Sequence, residues 1–351
     1  MKESTILLGQ DLVKLIAEID EFKGRWDALK ALSPDRLDAL RKVATVESIG
    51  SSTRIEGAKL SDAQVETLLS NIKIQSFDTR DEQEVAGYAE ATDLVFQPFS
   101  DLRLTENHVG QLHQTLLRHS EKDERHRRAY KTLRNDVVAF DADGNQIGVV
   151  FETATPFDTP REMESLVAWT RKAIDEESFH PLLIIAVFIV QFLAIHPFQD
   201  GNGRLSRILT TLLLLRAGYV YTPYASLERV IEDNKDLYYK ALRRTQTTLK
   251  NDKPDWEPWI SFFLRALKKQ KDMLAIRLDR ERTEQGGDNG LPVLSVQVLA
   301  LFKTRERLTL SQIEELTGAN RNTLKVRMRE LVSMGRVAQH GKARATWYTR
   351  A

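Results

Sequence analysis

The chain has 351 residues, 42% of them hydrophobic, which is enough for two or three domains with real cores. It contains no cysteine, so disulfides and thiolate–zinc sites are excluded; that fits a reducing compartment, and the cytoplasm is the expected location. The net charge is only +1, but residues 321–351 hold eight Lys or Arg against one acid, a local +7 that leaves −6 on residues 1–320. A basic C-terminal module on a mildly acidic body suits nucleic acid or an acidic protein surface.

The start of the chain carries Glu3, Asp11, Glu18 and Asp20 and lacks the basic and long apolar regions of a signal peptide. The longest apolar run, Leu182 to Val190, is well short of the roughly 20 residues needed to span a bilayer. No membrane association is expected, and the run reads as a buried helix.

Helical patterns dominate. Leu37 to Ile49 has helical spacing and leads into Ser52-Thr53-Arg54-Ile55-Glu56-Gly57. Ser61 to Gln64 is a capping box followed by Val65, Leu68 and Leu69. Val137 to Asp141 and Ile147 to Thr153 flank Ala142-Asp143-Gly144-Asn145, which predicts a β-hairpin. Thr159 to Glu162 is a second capping box, with Pro160 at the first helical position. Leu182 to Ile195 and Gly203 to Leu215 read as two core helices, and further helices are expected around Ser226, Asp236 to Leu242 and Pro258 to Ile276.

The polar stretch Glu281 to Asn289, with two adjacent glycines, reads as a linker. Beyond it, Val293 to Leu301, Ser311 to Leu316 and Arg321 to Met334 read as three helices, the last two joined through Gly318 as a helix-turn-helix. Val337-Ala338 and Thr346 to Thr349, joined across His340-Gly341-Lys342, read as a wing. The expected division is 1–100, a helical region; 101–280, a catalytic core; 281–290, a linker; and 291–351, a winged helix-turn-helix. Arg321, Lys325, Arg327 and Arg329, with Lys342 and Arg344 in the wing, make residues 311–350 a candidate DNA surface; a solvated basic face or a protein contact is the plainer alternative.

The chemistry concentrates in His196-Pro197-Phe198-Gln199-Asp200-Gly201-Asn202-Gly203-Arg204-Leu205-Ser206-Arg207. A glycine-rich turn directly before a helix presents bare N–H groups and the helix N-terminus to an anion. Arg204 and Arg207 are three apart, so two guanidinium forks share one helix face and suit a polyphosphate. Asp200 offers one hard oxygen ligand for Mg²⁺. His196 ends the preceding helix and can accept a proton near neutral pH. Taken singly these residues describe an ordinary helix corner; together they point to a site. No Gly-Lys-Ser/Thr follows, so this is not a Walker loop.

The run resembles the Fic-domain signature His-Pro-Phe-x-Asp-Gly-Asn-Gly-Arg-x-x-Arg at every fixed position. The resemblance implies a mainly α fold, a helical Fic core with a short β-hairpin flap. It implies transfer of AMP from ATP-Mg²⁺ to a Ser, Thr or Tyr hydroxyl of a target protein and of the chain itself. His196 would be the base and Asp200 the Mg²⁺ ligand. Gly201, Asn202 and Gly203, with the loop residues Leu205 and Ser206, would bind the nucleotide, and Arg204 and Arg207 its β- and γ-phosphates. Doc kinases carry a bulkier residue at the position of Gly203, so glycine there favours AMP transfer over phosphorylation.

Two weaker candidates are Tyr239, which resembles a family position lining the adenine pocket, and Gln191; their plainer readings are a buried tyrosine and a capped polar residue of a core helix. Ser52 to Gly57 resembles the inhibitory motif of the subclass with an N-terminal inhibitory helix, where Glu56 would engage Arg207. In some relatives the same glutamate supports AMP removal. The hairpin 137–153 would dock the target protein as a flap, a winged helix often follows this core, and the resemblance leaves a homodimer open. Rival readings are a DNA-binding regulator with a nucleotide-sensing core, a de-AMPylase using Glu56, and transfer of another nucleotide such as UMP.

Overall fold

A computed structural model of the protein describes residues 6, 9–29, 34–72, 76–96, 103–140, 146–286, 291–302, 305–341 and 346–351. They divide into two compact units, Met1–Leu278 and Asp279–Ala351. Both are mainly helical, and no helix among the described residues is long and apolar enough to cross a membrane.

The first unit is built from α1 (Gln10–Leu29), α2 (Pro34–Ile55), α3 (Asp62–Asn71), α4 (Arg80–Phe96) and α5 (Glu106–Leu116). After the hairpin strands β1 (Val137–Phe140) and β2 (Gln146–Phe151) come α6 (Thr159–Asp175), α7 (Pro181–Ile195), α8 (Asn202–Arg216), α9 (Leu227–Glu232), α10 (Lys235–Gln246) and most of α11 (Glu257–Gly286). At its centre is α7, where every residue from Leu182 to Val190 is buried. A helix apolar on all faces must be surrounded, and α6, α8 and α10 pack on it. Trp259 of α11 also reaches it, donating its indole N–H to the Ala186 carbonyl at 2.7 Å. Against α8 lie α2, α4 and α5. The loop between α7 and α8 is thus framed by the end of α2, by α4, α5 and α10, and by the base of the hairpin.

Local chemistry accounts for most element boundaries. Ser61 and Gln64 form the predicted capping box of α3. The second predicted box does not form. Thr159 is the first residue of α6 and Asp158 its cap, because Thr155 already begins the winding: its hydroxyl accepts the Asp158 N–H at 3.1 Å and its carbonyl the Thr159 N–H at 3.0 Å. β1 and β2 pair antiparallel, Val137 opposite Phe151 and Phe140 opposite Gln146. The second strand ends at Phe151 rather than Thr153, whose N–H turns to the Asp136 carboxylate at 2.9 Å instead of continuing the ladder. The predicted turn, 142–145, lies outside the described residues.

The second unit contains α12 (Val293–Leu301), β3 (Leu308–Thr309), α13 (Leu310–Thr317), α14 (Arg321–Ser333), β4 (Val337–His340) and β5 (Trp347–Arg350). Its three strands are ordered β3-β5-β4, and Ile313, Leu324, Met328, Leu331 and Tyr348 belong to a core of its own. Gly318 ends α13 at φ 64° and Asn320 caps α14. β3 was absent from the sequence reading, since two residues show no alternation. The segment read as a linker is helical through Gly286 as the end of α11. Two of the four α14 cations are engaged by acids, Arg321 by Glu314 at 2.5 Å and Arg327 by Glu330 at 2.8 Å. Lys342 and Arg344 lie outside the described residues.

Gly87 shows how closely the helices around the loop approach. A Cβ there would collide with the backbone oxygen of Leu116, so glycine is what lets α4 lie on α5. Gly87→Ala is expected to lower stability by about 1–3 kcal/mol, seen as a Tm roughly 3–8 °C lower in thermal unfolding followed by circular dichroism. An unchanged Tm would mean the two helices are not so close.

Candidate active site

α7 stops at Ile195 because His196 precedes a proline and cannot stay right-handed; it adopts φ 52°, ψ 60°. The chain then dives inward. Phe198 is fully buried and stacks on the His113 ring of α5 at 3.8 Å. Asn202 closes the loop, its Oδ1 accepting the Phe198 N–H at 2.9 Å and its Nδ2 donating to the Phe198 carbonyl at 2.7 Å. His113 supports the loop from below: Nδ1 accepts the Arg128 N–H at 3.0 Å, which leaves Nε2 to donate to the Asp200 carbonyl at 3.1 Å. Burial pushes this imidazole down to about 4, so it is neutral at physiological pH. Gly201, at φ 79°, starts α8. The N–H groups of Asn202, Gly203 and Arg204 therefore fall in the first turn, where the helix offers them no carbonyl.

A network of charged groups lies around that turn. Arg204, 2% exposed, has Nη1 3.3 Å from Glu84 of α4 and Nη2 3.4 Å from Asp200. Arg80 binds the other oxygen of Glu84 at 2.7 Å and lies 3.9 Å from Asp200. Burial would raise the Asp200 carboxyl, but Arg204, the Gly201 N–H and Arg80 outweigh it and hold it below the usual range. Asp200 is thus an anionic hard oxygen at the cleft. The described residues hold no cluster of three or more metal-ligating side chains. One carboxylate is nonetheless an adequate protein share for Mg²⁺ that arrives on a polyphosphate, since this ion keeps water and phosphate oxygens around it.

The second motif arginine, Arg207, is 3% exposed. Its Nε donates to the Ser52 hydroxyl at 2.8 Å, and its Nη2 donates to the Ser52 carbonyl at 3.0 Å and to Glu56 Oε1 at 2.8 Å. Burial opposes the Glu56 charge, yet Arg207, then Arg204 and His196, hold its carboxyl below the ordinary value. Glu56 also lies against Gly203, where an added Cβ would collide with Oε1. Gly57, at φ 105°, turns the chain away after α2.

Glu56, Asp200 and Arg204 face one cleft of about 430 Å³, within the size range of small-molecule sites, whereas Arg207, Arg80 and Glu84 are not among its lining residues. It is lined by Glu56, by His196 and Asp200 to Arg204, by Asn135 and Asp136 at the hairpin base, and by Tyr238, Tyr239, Arg243 and Gln246 of α10. Tyr239 is thus in the cleft, and burial pushes its phenol up. Arg207, Ser52 and Gly57 do not line it, and three further sequence candidates lie elsewhere. Leu205 is fully buried in the core with its N–H bonded to the Gly201 carbonyl at 2.9 Å, and Ser206 is buried with its hydroxyl on the Gly203 carbonyl at 2.7 Å. Gln191 is a half-buried residue of α7 more than a turn before His196, and does not line the cleft.

Sequence reading missed Glu84, Arg80, His113, Lys131 and Asn135. Each is an isolated polar residue in a segment distant from the loop; the only local hint was a lysine beside an aromatic, Tyr130-Lys131, which is common on surfaces.

Residues 103–214, which contain the whole loop, match the model of the Fic/DOC family. The chain is 28% identical over 215 residues to the "Protein adenylyltransferase Fic" of Drosophila mojavensis and 27% identical over 215 residues to that of Drosophila melanogaster. Each match spans 60% of this chain but only about two fifths of the relative's length, 40% and 41%. Among solved structures, a Fic family protein from Desulfovibrio desulfuricans superposes with a TM-score of 0.70 at 22% identity, covering 99% of this chain and 98% of its own. Fic-1 of C. elegans superposes with a TM-score of 0.59 at 18% identity, covering 78% and 73%. At these identities the structural likeness speaks for the fold. Residues 103–214 are a Fic domain, a member of the Fic/DOC family.

Proposed function

We propose that the protein is a protein adenylyltransferase, moving AMP from ATP to a hydroxyl of a target protein and of its own chain, with Glu56 restraining it in cis. The observation that carries this is a pair of buried guanidiniums that keep open N–H groups despite their ion pairs, close to a neutral base. Arg204 Nε and Arg207 Nη1 are buried with no hydrogen-bond partner among the described residues. Arg204, in the first turn of α8, lines the same cleft as His196, which burial and then the Lys131 charge push down to about 4. Buried guanidinium N–H groups left open imply an anionic ligand, and the names of the curated relatives indicate ATP.

In the reaction His196 takes the proton of the attacking hydroxyl. That oxygen bonds to the α-phosphorus, the bond from the α-phosphorus to the β-bridging oxygen breaks, and pyrophosphate leaves. The first-turn N–H groups of α8 and the Arg204 and Arg207 guanidiniums hold the β- and γ-phosphates. Bound Mg²⁺ would neutralise phosphate charge, and Asp200 is the residue that would hold it. Tyr239 and its α10 neighbours form the wall for the base. The hairpin 137–153 offers its edge to the target chain.

Residues 1–100 and 101–280 are read as the inhibitory region and the catalytic core. Residues 291–351 are read as a winged helix, and Lys325 and Arg329 of α14 are exposed cations that it offers to a nucleic acid or acidic partner. The test uses ATP labelled at the α-phosphate and, separately, at the γ-phosphate. The purified Glu56→Gly chain with Mg²⁺ should acquire α-label and no γ-label. γ-Label would make it a kinase. Absence of both, with loss of AMP from a premodified target, would make it an AMP-removing enzyme.

A further inference from the structure

We propose that Lys131 is a positioning residue for the transfer reaction: it grips the peptide groups on both sides of His196 and so fixes the imidazole in its working orientation. The inference rests on the adenylyl-transfer reading and concerns a residue outside the loop.

Lys131 is 3% exposed, an unusual place for a lysine without a task. Its Nζ donates to the Ile195 carbonyl at 3.0 Å, the Thr153 hydroxyl at 2.8 Å and the Asn135 Oδ1 at 2.8 Å. An ammonium has three N–H donors, and all three are directed. Ile195 is the last residue of α7, so its carbonyl has no partner in the helix, and a cation is favoured at that end. The backbone N–H of the same lysine donates to the Pro197 carbonyl at 2.8 Å. One residue therefore holds the carbonyl before His196 with its side chain and the carbonyl after it with its main chain. Asn135, itself anchored on Lys131, extends the grip through Nδ2 to the carbonyls of His196 at 3.3 Å and Phe198 at 2.6 Å.

The need for such a grip follows from the backbone of His196. Its φ of 52° is sparsely populated for a residue with a side chain, and such a conformation persists only where its surroundings over-determine it. A second consequence is electrostatic. Glu56 of α2 and Asp200 of the loop favour the imidazolium, and Lys131 disfavours it; Asp136 before the hairpin and Tyr239 and Arg243 of α10 line the same cleft. Burial lowers Lys131 only to about 8, which leaves it mostly charged at neutral pH. The cation thus helps keep the base free of a proton.

The test is made on the full chain in the Glu56→Gly background, with Lys131→Met removing donors and charge at similar size. The kcat for self-labelling is expected to fall about 10–100-fold with KM for ATP nearly unchanged, as for a misplaced catalytic group. Lys131→Arg, keeping the cation, should recover most of it. Independently of any activity, the His196 ring followed by NMR should titrate at higher pH in Lys131→Met than in the parent. Should Lys131→Met fail to fold, Thr153→Val, which removes one acceptor, should lower kcat by about 3–10-fold without raising KM. Unchanged kcat and unchanged ring titration overturn the proposal, as does a loss that appears wholly in KM. If the Glu56→Gly parent transfers no label, the adenylyl-transfer reading fails while the ring titration still decides whether Lys131 governs His196.

Discussion

Replacing Glu56 by glycine is expected to raise the initial rate of self-labelling from ATP about 10–100-fold over the parent chain. Two contacts set that figure. The 2.8 Å bond from Arg207 Nη2 to Glu56 Oε1 is charge-assisted on both sides, the kind that contributes roughly 1.5–3 kcal/mol, and a phosphate must displace it to use that guanidinium. The same carboxylate sits against Gly203, over the N-terminal turn of α8, where phosphate oxygens would meet the open N–H groups. Nor is Glu56 free to swing aside with the end of its helix. Arg54, two residues earlier, is held by Glu232 at 2.6 and 3.0 Å and by Asp62 at 2.9 Å. The measurement is the rate of α-label incorporation at equal ATP and protein for the parent, Glu56→Gln and Glu56→Gly. Glu56→Gln should fall between, since it keeps the bulk and loses the charge. Equal rates in all three would remove Glu56 as a restraint.

What the sequence disclosed about this site, and what it hid, has a simple physical basis. The loop from His196 to Arg207 was legible because its chemistry is local: a proline fixes where α7 ends, a glycine takes the positive φ at 201, and two arginines three apart share a face. The hairpin strands and the capping box at Ser61 were legible for the same reason. Glu84, Lys131 and His113 were not. Each is one polar residue whose importance appears only when α4, the segment before the hairpin and α5 are brought beneath the loop, and no periodicity marks a lone buried charge. Leu205 and Ser206 are the opposite case. Membership of a contiguous motif made them candidates, but a helix presents only one face to the cleft, and their positions turn to the core. Gln191 does not line the cleft, although Leu193, two residues further along α7, does.

His196→Ala in the Glu56→Gly background is expected to lower kcat by about 10²–10⁴-fold, the usual contribution of a general base, with ATP affinity unchanged. The pH dependence is the sharper part. Burial first, and the Lys131 cation second, push the His196 imidazole down from 6.5 to about 4. A lowered value means that the neutral, proton-accepting form persists as pH falls. The acid limb of kcat/KM, which reports the free enzyme, should therefore lie well below pH 6.5. Removing Glu56, an anion that favours the imidazolium, should move it lower still. Binding of the polyphosphate acts in the other direction, because its negative charge near the ring stabilises the imidazolium. The acid limb of kcat, which reports the bound state, should lie above that of kcat/KM. Both profiles can be read from the same labelling series between acid and neutral pH. Coincident limbs near 6.5 would mean that the ring is hydrated rather than enclosed by α2 and the loop. Retained activity in His196→Ala would mean that the attacking hydroxyl loses its proton to another group.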